Sequence, residues 1–212
     1  MFQLAQSEKT VLFTTIRMSI YFVVLTLVSV GIWKIADVFG GAAFGENGII
    51  ENTQCVFLMI AGFIFALSAW KNKANRIAML GLSALCMLGI CREQDAWFDA
   101  NLPILSWRVG YIFPVLVSIY GLCHFKNFKK QILDLLKTPA CSLMFSAMVV
   151  IIPFAQCIGH RPLIKAVIES DDSGIVFAIR RMIEESGELL GYLMIVLAAI
   201  ELLMNLHKRK DA

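Results

Sequence analysis

The sequence predicts an all-α membrane protein, a bundle of about six transmembrane helices that forms one integral membrane domain over residues 1–212. Two observations predict this class. Apolar residues make up 58% of the chain and its mean hydropathy is +0.73, whereas soluble domains are about 45–50% apolar. These residues are also grouped in blocks of about 18–25, the length that crosses a hydrocarbon core about 30 Å thick.

Six blocks are predicted to span the membrane as helices, because a segment in lipid must satisfy its own backbone hydrogen bonds. They cover residues 11–34, 48–70, 76–98, 107–124, 140–160 and 180–206. The blocks do not alternate with period two, which argues against a β-barrel. In the long loop 162–179 we expect a short interfacial helix over 163–168 and a turn at Ser-Asp-Asp-Ser-Gly, 170–174.

Lysine and arginine predict the orientation, because cytoplasmic loops are enriched in both. With the N-terminus inside, the inner segments hold Lys9, Lys71, Lys73, Arg76, Lys126, Lys129, Lys130, Lys137, Lys208, Arg209 and Lys210. The outer segments and helix ends hold Lys34, Arg92, Arg108, Arg161, Lys165, Arg180 and Arg181. We therefore expect both termini in the cytoplasm, and as location the bacterial inner (plasma) membrane.

The outer ends of four predicted helices carry polar residues at one membrane depth, because successive loops alternate between the two sides. These groups are Glu51, Asn52 and Gln54 on helix 2, residues 91–99 on helix 3, Gln156, His160 and Arg161 on helix 5, and residues 180–188 on helix 6. Helical spacing places Arg181, Glu185, Glu188 and Tyr192 on one stripe, and Arg92, Asp95 and Asp99 on another. Charges facing lipid are costly, so both stripes should face the bundle interior or an aqueous cavity.

Carboxylates held together in a low-dielectric site can titrate at different pH values, so that one serves as an acid while another serves as a base. The candidate catalytic residues are Glu51, Glu93, Asp95, His160, Glu185 and Glu188. Arginine binds anionic groups well. The candidate substrate-binding residues are Arg92, Arg161, Arg181 and Tyr192.

A purely structural interpretation competes with this one. Acids at a helix N-terminus are favoured by the macrodipole, which would account for Glu51, Glu184 and Glu185. Arg181 and Glu185 also form an ordinary i,i+4 pair. We prefer the functional interpretation, because the structural one leaves the density of carboxylates near the interface unexplained.

The sequence indicates a metal site only by the types of residue present, and not by a ligand motif. One histidine among several carboxylates suits a hard or borderline cation, but the chain has neither H-E-x-x-H nor E-x-x-H. A divalent cation held among Glu51, Asp95, His160 and Glu188 is therefore a hypothesis, and the identity of any cofactor stays unknown. The six cysteines have no C-x-x-C spacing and are expected to be buried apolar residues without disulfides.

Three function classes follow. The first is a membrane-embedded enzyme, a hydrolase or transferase, that acts on a lipid or lipid-linked substrate. The alternative is a non-catalytic scaffold or partner-binding protein held by interhelical salt bridges. The third is a cation- or proton-coupled transporter, which is disfavoured because residues 56–67, 77–90 and 189–200 carry no charge and no repeat is evident. The bilayer is the expected partner, and no pattern indicates nucleic acid.

Overall fold

The computed structural model describes residues 6–102, 104–168 and 172–208, and the regular elements in these ranges are helices. The chain divides into two compact units, Met1–Gly40 and Gly41–Ala212. In the described residues, six helices are long and apolar enough to cross a membrane. The prediction of an all-α chain with six such helices is therefore confirmed at the level of helix number, length and composition.

The first unit consists of one long helix, α1 (Gln6–Phe39), which extends the predicted helix 11–34 by a turn or more at each end. Three of its hydroxyl groups are satisfied within the helix. The side chains of Thr15, Thr26 and Ser29 each donate to the carbonyl four residues earlier, at 2.9–3.0 Å. Such internal pairing allows a polar side chain to lie in an apolar environment.

The second unit is a helical bundle built around three helices. Its α-helices are α2 (Ile49–Lys71), α3 (Arg76–Glu93), α4 (Asp95–Asn101), α5 (Ile112–Cys123), α6 (Phe125–Leu136), α7 (Pro139–Val149), α8 (Arg161–Ile168) and α9 (Ser173–Lys208). Helix α2 packs against α3 and α9, and α7 also packs against α9. Leu58, Phe65, Met79 and Val196 lie in the buried core between these helices.

The predicted third helix is broken. It was expected to run to Phe98, but α3 ends at Glu93, and Gln94 leaves the helical conformation before α4 begins at Asp95. The predicted single stripe of Arg92, Asp95 and Asp99 is therefore wrong. Asp95 opens a new helix, where an acid in the first turn is favourable, and its Oδ1 accepts from the backbone N–H of Ala96.

The predicted fourth and fifth helices are not regular α-helices throughout. The fourth starts as a 3₁₀ segment, Ser106–Tyr111, before α5. Helix α7 begins at Pro139, one residue before the predicted start, with the Thr138 hydroxyl accepting from the N–H of Cys141. It continues as a π-helical segment, Val150–Ile158, which contains Pro153. Proline lacks an N–H and crowds the preceding turn, which disfavours regular α-helix there.

Helix α6 was not predicted, because its lysines indicated a loop. It is amphipathic: Phe128, Ile132 and Leu135 recur at helical spacing and line a cavity of about 210 Å³ between α3, α5 and α6. The buried Gln131 fixes α6 to the start of α3, since its Oε1 accepts from the N–H groups of Ile77 at 2.8 Å and Ala78 at 3.0 Å.

The last helix starts earlier than predicted. Helix α9 begins at Ser173 rather than 180, and the Asp172 carboxylate accepts from the N–H of Gly174 at 2.8 Å. The short helix expected over 163–168 is present as α8. Ser170 and Asp171 of the predicted turn, and Arg209, Lys210 and Asp211 of the tail, lie outside the described residues.

This early start removes one structural explanation. Glu184 and Glu185 lie about three turns inside α9, whereas the helix dipole acts over the first turn. The macrodipole therefore cannot account for these two acids. It still applies to Glu51, which lies in the first turn of α2.

The cysteines of the described residues are free thiols, as expected. Four of them are buried: Cys55, Cys86, Cys91 and Cys141. The expectation of burial is wrong for Cys123 and Cys157, which lie on exposed faces of apolar helices. A small, weakly polar side chain is compatible with such a face.

Candidate functional site

The site depends on a close approach of α9 to the π-helical segment. Gly187 and Gly191 lie one turn apart on α9 and face Ala155 and Ile151. A Cβ on Gly187 would lie 2.7 Å from that of Ala155. Two glycines at this spacing allow helix backbones to come together in a membrane protein. The approach brings Gln156, which follows Ala155, next to Glu188, which follows Gly187.

Glu188 is the most deeply buried acid of the site, at 1% exposure. Arg92 of α3 donates to its Oε1 at 2.5 Å, and Gln156 donates to the same oxygen at 2.7 Å. Glu188 therefore joins three elements: α3, the π-helical segment and α9. The Arg92 side chain is 41% exposed, so it connects a buried carboxylate to the surface of the unit.

Glu93, the last residue of α3, is buried beside Tyr192 of α9. The Tyr192 hydroxyl donates to Glu93 Oε1 at 2.6 Å, and Arg92 Nη1 lies 3.8 Å from the same oxygen. Tyr192 is also buried, at 5% exposure. The phenol thus provides a hydrogen-bond donor to a carboxylate that is shielded from solvent.

Glu185 is held by α2 and by its own helix. The Gln54 side-chain amide donates to the Glu185 carbonyl at 2.9 Å and to its Oε2 at 3.1 Å. Arg181 Nη1 lies 3.4 Å from Glu185 Oε1, and Arg181 Nε donates to the Phe44 carbonyl at 3.1 Å. Gln54 is fully buried, and its Oε1 accepts no hydrogen bond from the described residues.

Three carboxylates meet at the centre of these contacts. One oxygen each of Glu93, Glu185 and Glu188 lies within 4.8 Å of the others, and all three residues are buried. We call them the carboxylate triad. They are the described residues best placed to share a metal ion.

Glu51 lies at the same end of α2 as Gln54 and is buried at 7% exposure. Its Oε2 accepts from the N–H of Asn47 at 2.5 Å. Asn47 has a positive φ of 57°, a conformation that asparagine tolerates better than most residues. Glu51 therefore stabilises the turn that leads into α2, in addition to adding a negative charge near the triad.

None of the described hydrogen bonds or ion pairs joins the other predicted site residues to the triad. Asp95 and His160 are exposed. Arg161 is exposed too, and its guanidinium lies 5.9 Å from the Phe177 ring centroid in a cation–π contact. The cation ligands hypothesised from sequence, Glu51, Asp95, His160 and Glu188, are thus not the group that converges.

The sequence places Gln54 and Gln156 among the outer polar groups, but neither was a candidate catalytic or substrate-binding residue, although both contact the carboxylates of the site. Nothing in their local sequence distinguishes them from interfacial amides. A usable signal was present for the packing, because Gly-Glu-Leu-Leu-Gly at 187–191 has the G-x-x-x-G spacing of close helix contacts. It would have indicated that Glu188 lies inside a helix–helix interface.

No protein-family model, curated protein or solved structure matches this chain. Any functional argument therefore rests on the geometry and chemistry of the site.

Proposed function

We propose that this chain is a multi-pass membrane enzyme, a hydrolase or transferase, that acts on a lipid or lipid-linked substrate at the carboxylate triad. The observation that supports this most strongly is the burial of three carboxylates within 4.8 Å of one another in apolar helices. Bringing like charges together away from water is costly. Acidic residues whose pKa values are perturbed by burial and by neighbouring charges are concentrated at functional sites.

The charge balance supports a working site over a simple salt-bridge network. The four buried carboxylates at this end, Glu51 and the triad, are accompanied by two contacting arginines, Arg92 and Arg181. A network that serves only to join helices needs no more acids than bases. The excess acids can bind and release protons, which is the property that general acid–base catalysis requires.

The proposed roles follow from these contacts. Glu185 or Glu188 takes a proton from an attacking water or hydroxyl group, and a second triad carboxyl returns a proton to the leaving oxygen. Tyr192 orients Glu93 through its 2.6 Å hydrogen bond. Arg92, with its partly exposed guanidinium, holds an anionic headgroup. A headgroup at the membrane surface could reach this arginine while its acyl chains stay in the bilayer.

The orientation and location belong to the same proposal. The lysine-rich ends of the helices lie in the cytoplasm together with both termini, and the triad lies toward the outer side of a bacterial inner membrane. The distribution of lysine and arginine along the chain supports this orientation.

The experiment compares the lipids of a host strain that lacks this protein with strains that carry variants. We expect the wild-type chain to restore a lipid or lipid-linked species whose level changes in the deletion strain, and Glu185→Gln and Glu93→Gln to fail although they accumulate in the membrane. Glu184→Gln is the matched control, because it neutralises the neighbouring acid of α9, which pairs with Arg180. An unchanged lipid profile in the deletion strain, or full restoration by both triad variants, would overturn the enzyme proposal.

A specific observation favours the scaffold as the second candidate. The contacts of Glu188 with Arg92 and Gln156 join three elements, as a purely structural network would. Thermal stability in detergent separates the two candidates. A scaffold loses stability with every change of a triad carboxylate to an amide, because a buried arginine or phenol loses its partner. A working site tolerates at least two of these changes and loses only its phenotype.

A further inference from the structure

We propose that the carboxylate triad, Glu93, Glu185 and Glu188, binds one divalent cation of the hard class, such as Mg²⁺, Mn²⁺ or Ca²⁺, with the amide oxygen of Gln54 as a fourth protein ligand. The binding goes beyond the enzymatic proposal, because it would hold whether the triad is catalytic or structural. Four independent features support this proposal. They are the spacing of the triad oxygens, the charge of the surrounding groups, a buried acceptor without a partner and the type of ligand atom.

The spacing of the triad oxygens fits a shared ion. Metal–oxygen distances are about 2.0–2.1 Å for Mg²⁺ and 2.3–2.6 Å for Ca²⁺. Two ligands on opposite sides of such an ion are thus about 4.2 to 5 Å apart, and adjacent ligands about 3 to 3.5 Å apart. The triad oxygens lie within 4.8 Å of one another, so small side-chain rotations suffice to close the site around one ion.

The charges of the groups around the triad favour a divalent cation. With Glu51 counted, four buried carboxylates face two contacting arginines, Arg92 and Arg181. If all six groups are ionised, two negative charges are left without a partner inside apolar helices. One divalent cation neutralises them, whereas a third arginine or a monovalent ion would not.

Gln54 provides independent evidence for an ion at this site, because it has a buried acceptor without a partner. Its side chain is fully buried, and its Oε1 accepts no hydrogen bond from the described residues. A buried acceptor without a partner is uncommon in native proteins. The amide cannot simply be turned over, because its Nε2 donates to two oxygens of Glu185, at 2.9 and 3.1 Å. Turning it over would set an oxygen against both.

The unused oxygen lies close to the triad. The oxygen and nitrogen of one carboxamide are about 2.3 Å apart by bond lengths. Since Nε2 is 3.1 Å from Glu185 Oε2, Gln54 Oε1 lies within about 5.4 Å of that oxygen. An ion bound between the triad carboxylates would give Gln54 Oε1 the partner that it lacks.

The ligand atoms select the class of cation. The triad and Gln54 offer only oxygen, which suits Mg²⁺, Mn²⁺ and Ca²⁺ rather than metals that prefer nitrogen or sulfur. The two donors to Glu188, Arg92 and Gln156, both reach Oε1. This leaves Glu188 Oε2 without a donor among the described hydrogen bonds, so an ion that binds there would not displace Arg92.

The test uses the full-length protein, purified in detergent, stripped with EDTA and then titrated with Mg²⁺, Mn²⁺, Ca²⁺ and Zn²⁺ at constant ionic strength. Elemental analysis gives the stoichiometry, calorimetry gives the affinity, and thermal unfolding reports stabilisation. We expect one bound ion per chain for at least one hard cation and a saturable rise in Tm.

The variants identify the ligands. Glu93→Gln and Gln54→Leu should each weaken the affinity at least tenfold, and Glu184→Gln should bind as the wild type does. The Tm of each variant in EDTA shows whether it is folded. Glu93→Gln serves as the main variant, because changing Glu188 also removes the partner of Arg92.

Two results would overturn the cation proposal. One is a wild-type chain that binds none of the four cations stoichiometrically, which would mean that the triad holds protons or water instead. The other is unchanged affinity in folded Glu93→Gln and Gln54→Leu proteins. Neither result bears on the enzyme proposal, which is tested by lipid profiles in cells.

Discussion

At the residue scale, Arg92 has two distinct roles in this protein. Its Nη2 group is 2.5 Å from Glu188 Oε1, yet 41% of its side chain is exposed. It therefore compensates a buried carboxylate while keeping part of its guanidinium accessible. Among the described residues, Arg181 has a comparable arrangement with Glu185, at 3.4 Å and 22% exposure. Both arginines are thus suited to neutralise the site from its rim.

We predict that Arg92→Gln destabilises the protein, because it leaves Glu188 with Gln156 as its remaining donor. Breaking a buried ion pair costs about 3–5 kcal/mol. Since Arg92 is partly exposed, we expect a loss in the free energy of unfolding of about 1–3 kcal/mol. Denaturant unfolding in detergent measures it.

The control is Arg180→Gln, which breaks an i,i+4 ion pair within α9, Arg180 with Glu184 at 3.3 Å. The carboxylate of that pair is 14% exposed, against 1% for Glu188, so its loss should change stability by no more than about 1 kcal/mol. Equal effects of the two substitutions would show that Glu188 does not depend on Arg92.

Helical spacing was informative on α9 and misleading at the end of the predicted third helix, although Arg92 and Glu93 were named as candidates there. Glu185, Glu188 and Tyr192 were placed on one face by helical spacing alone, which works because α9 is continuous through all of them. The same reasoning failed for Asp95, because the helix breaks at Gln94. Local propensity does not reveal that break. The break at Gln94 accompanies a contact with α2, in which the Gln94 side chain donates to Cys55 Sγ at 3.3 Å.

At the element scale, the contact of α9 with the π-helical segment positions the site. Ala155 and the two glycines of α9 keep the backbones close, and one of these glycines, Gly187, directly precedes Glu188. Short π-helical stretches often occur at functional sites. The change of helical geometry around Pro153 directs Gln156 toward α9, so the proline and the glycines act on the same contact.

We predict that Gly191→Ala destabilises this contact, because the new Cβ would overlap the Ile151 side chain and lie 3.3 Å from the Ala147 carbonyl. Overpacking of this kind costs about 1–3 kcal/mol. The free energy of unfolding in detergent gives the cost. Gly31→Ala is the control, because nothing lies within 4 Å of its Cβ position, and it should be neutral or slightly stabilising. A neutral Gly191→Ala would mean that α9 does not need a glycine there.

A second element-scale prediction concerns Gln131, which joins α6 to α3. Gln131→Leu leaves the N–H groups of Ile77 and Ala78 without their acceptor. Unsatisfied buried donors cost about 1–3 kcal/mol, so the free energy of unfolding should fall by this amount. Asn127→Leu, on an exposed position of the same helix, should have little effect. Equal stability of both variants would show that water replaces the Gln131 oxygen.

At the scale of the whole molecule, polar chemistry is concentrated at one end of apolar helices. The contacts among α2, α3, α9 and the π-helical segment place Gln54, Glu93, Gln156 and Glu188 together. Six spanning blocks could be recognised from hydropathy, because length and composition suffice for that. Helix α6 could not, because its 12 residues are too few to span the membrane and its apolar residues alternate with lysines in the sequence.

The last prediction concerns the side of the membrane on which the triad lies. Reporter fusions after Trp70, Lys130 and Lys210 should report the cytoplasm, and fusions near Asn47, Asn101 and Asp172 the outer side. The reason is that Lys71, Lys73 and Arg76 lie at the ends of α2 and α3 opposite the triad, and α6 adds its lysines next to the start of α3. Lysine and arginine near helix ends keep those ends in the cytoplasm.

Substitution of charge provides the control for these fusions. Changing Lys126, Lys129 and Lys130 to glutamine should weaken the cytoplasmic signal at that loop. Changing Glu46 to glutamine and Asp99 to asparagine should leave the reporter signals unchanged, because acids contribute little to orientation. An outer signal from a fusion after Lys130 in the wild-type chain would reverse the orientation. The triad would then face the cytoplasm, and its substrate would have to be sought among the lipids of the inner leaflet.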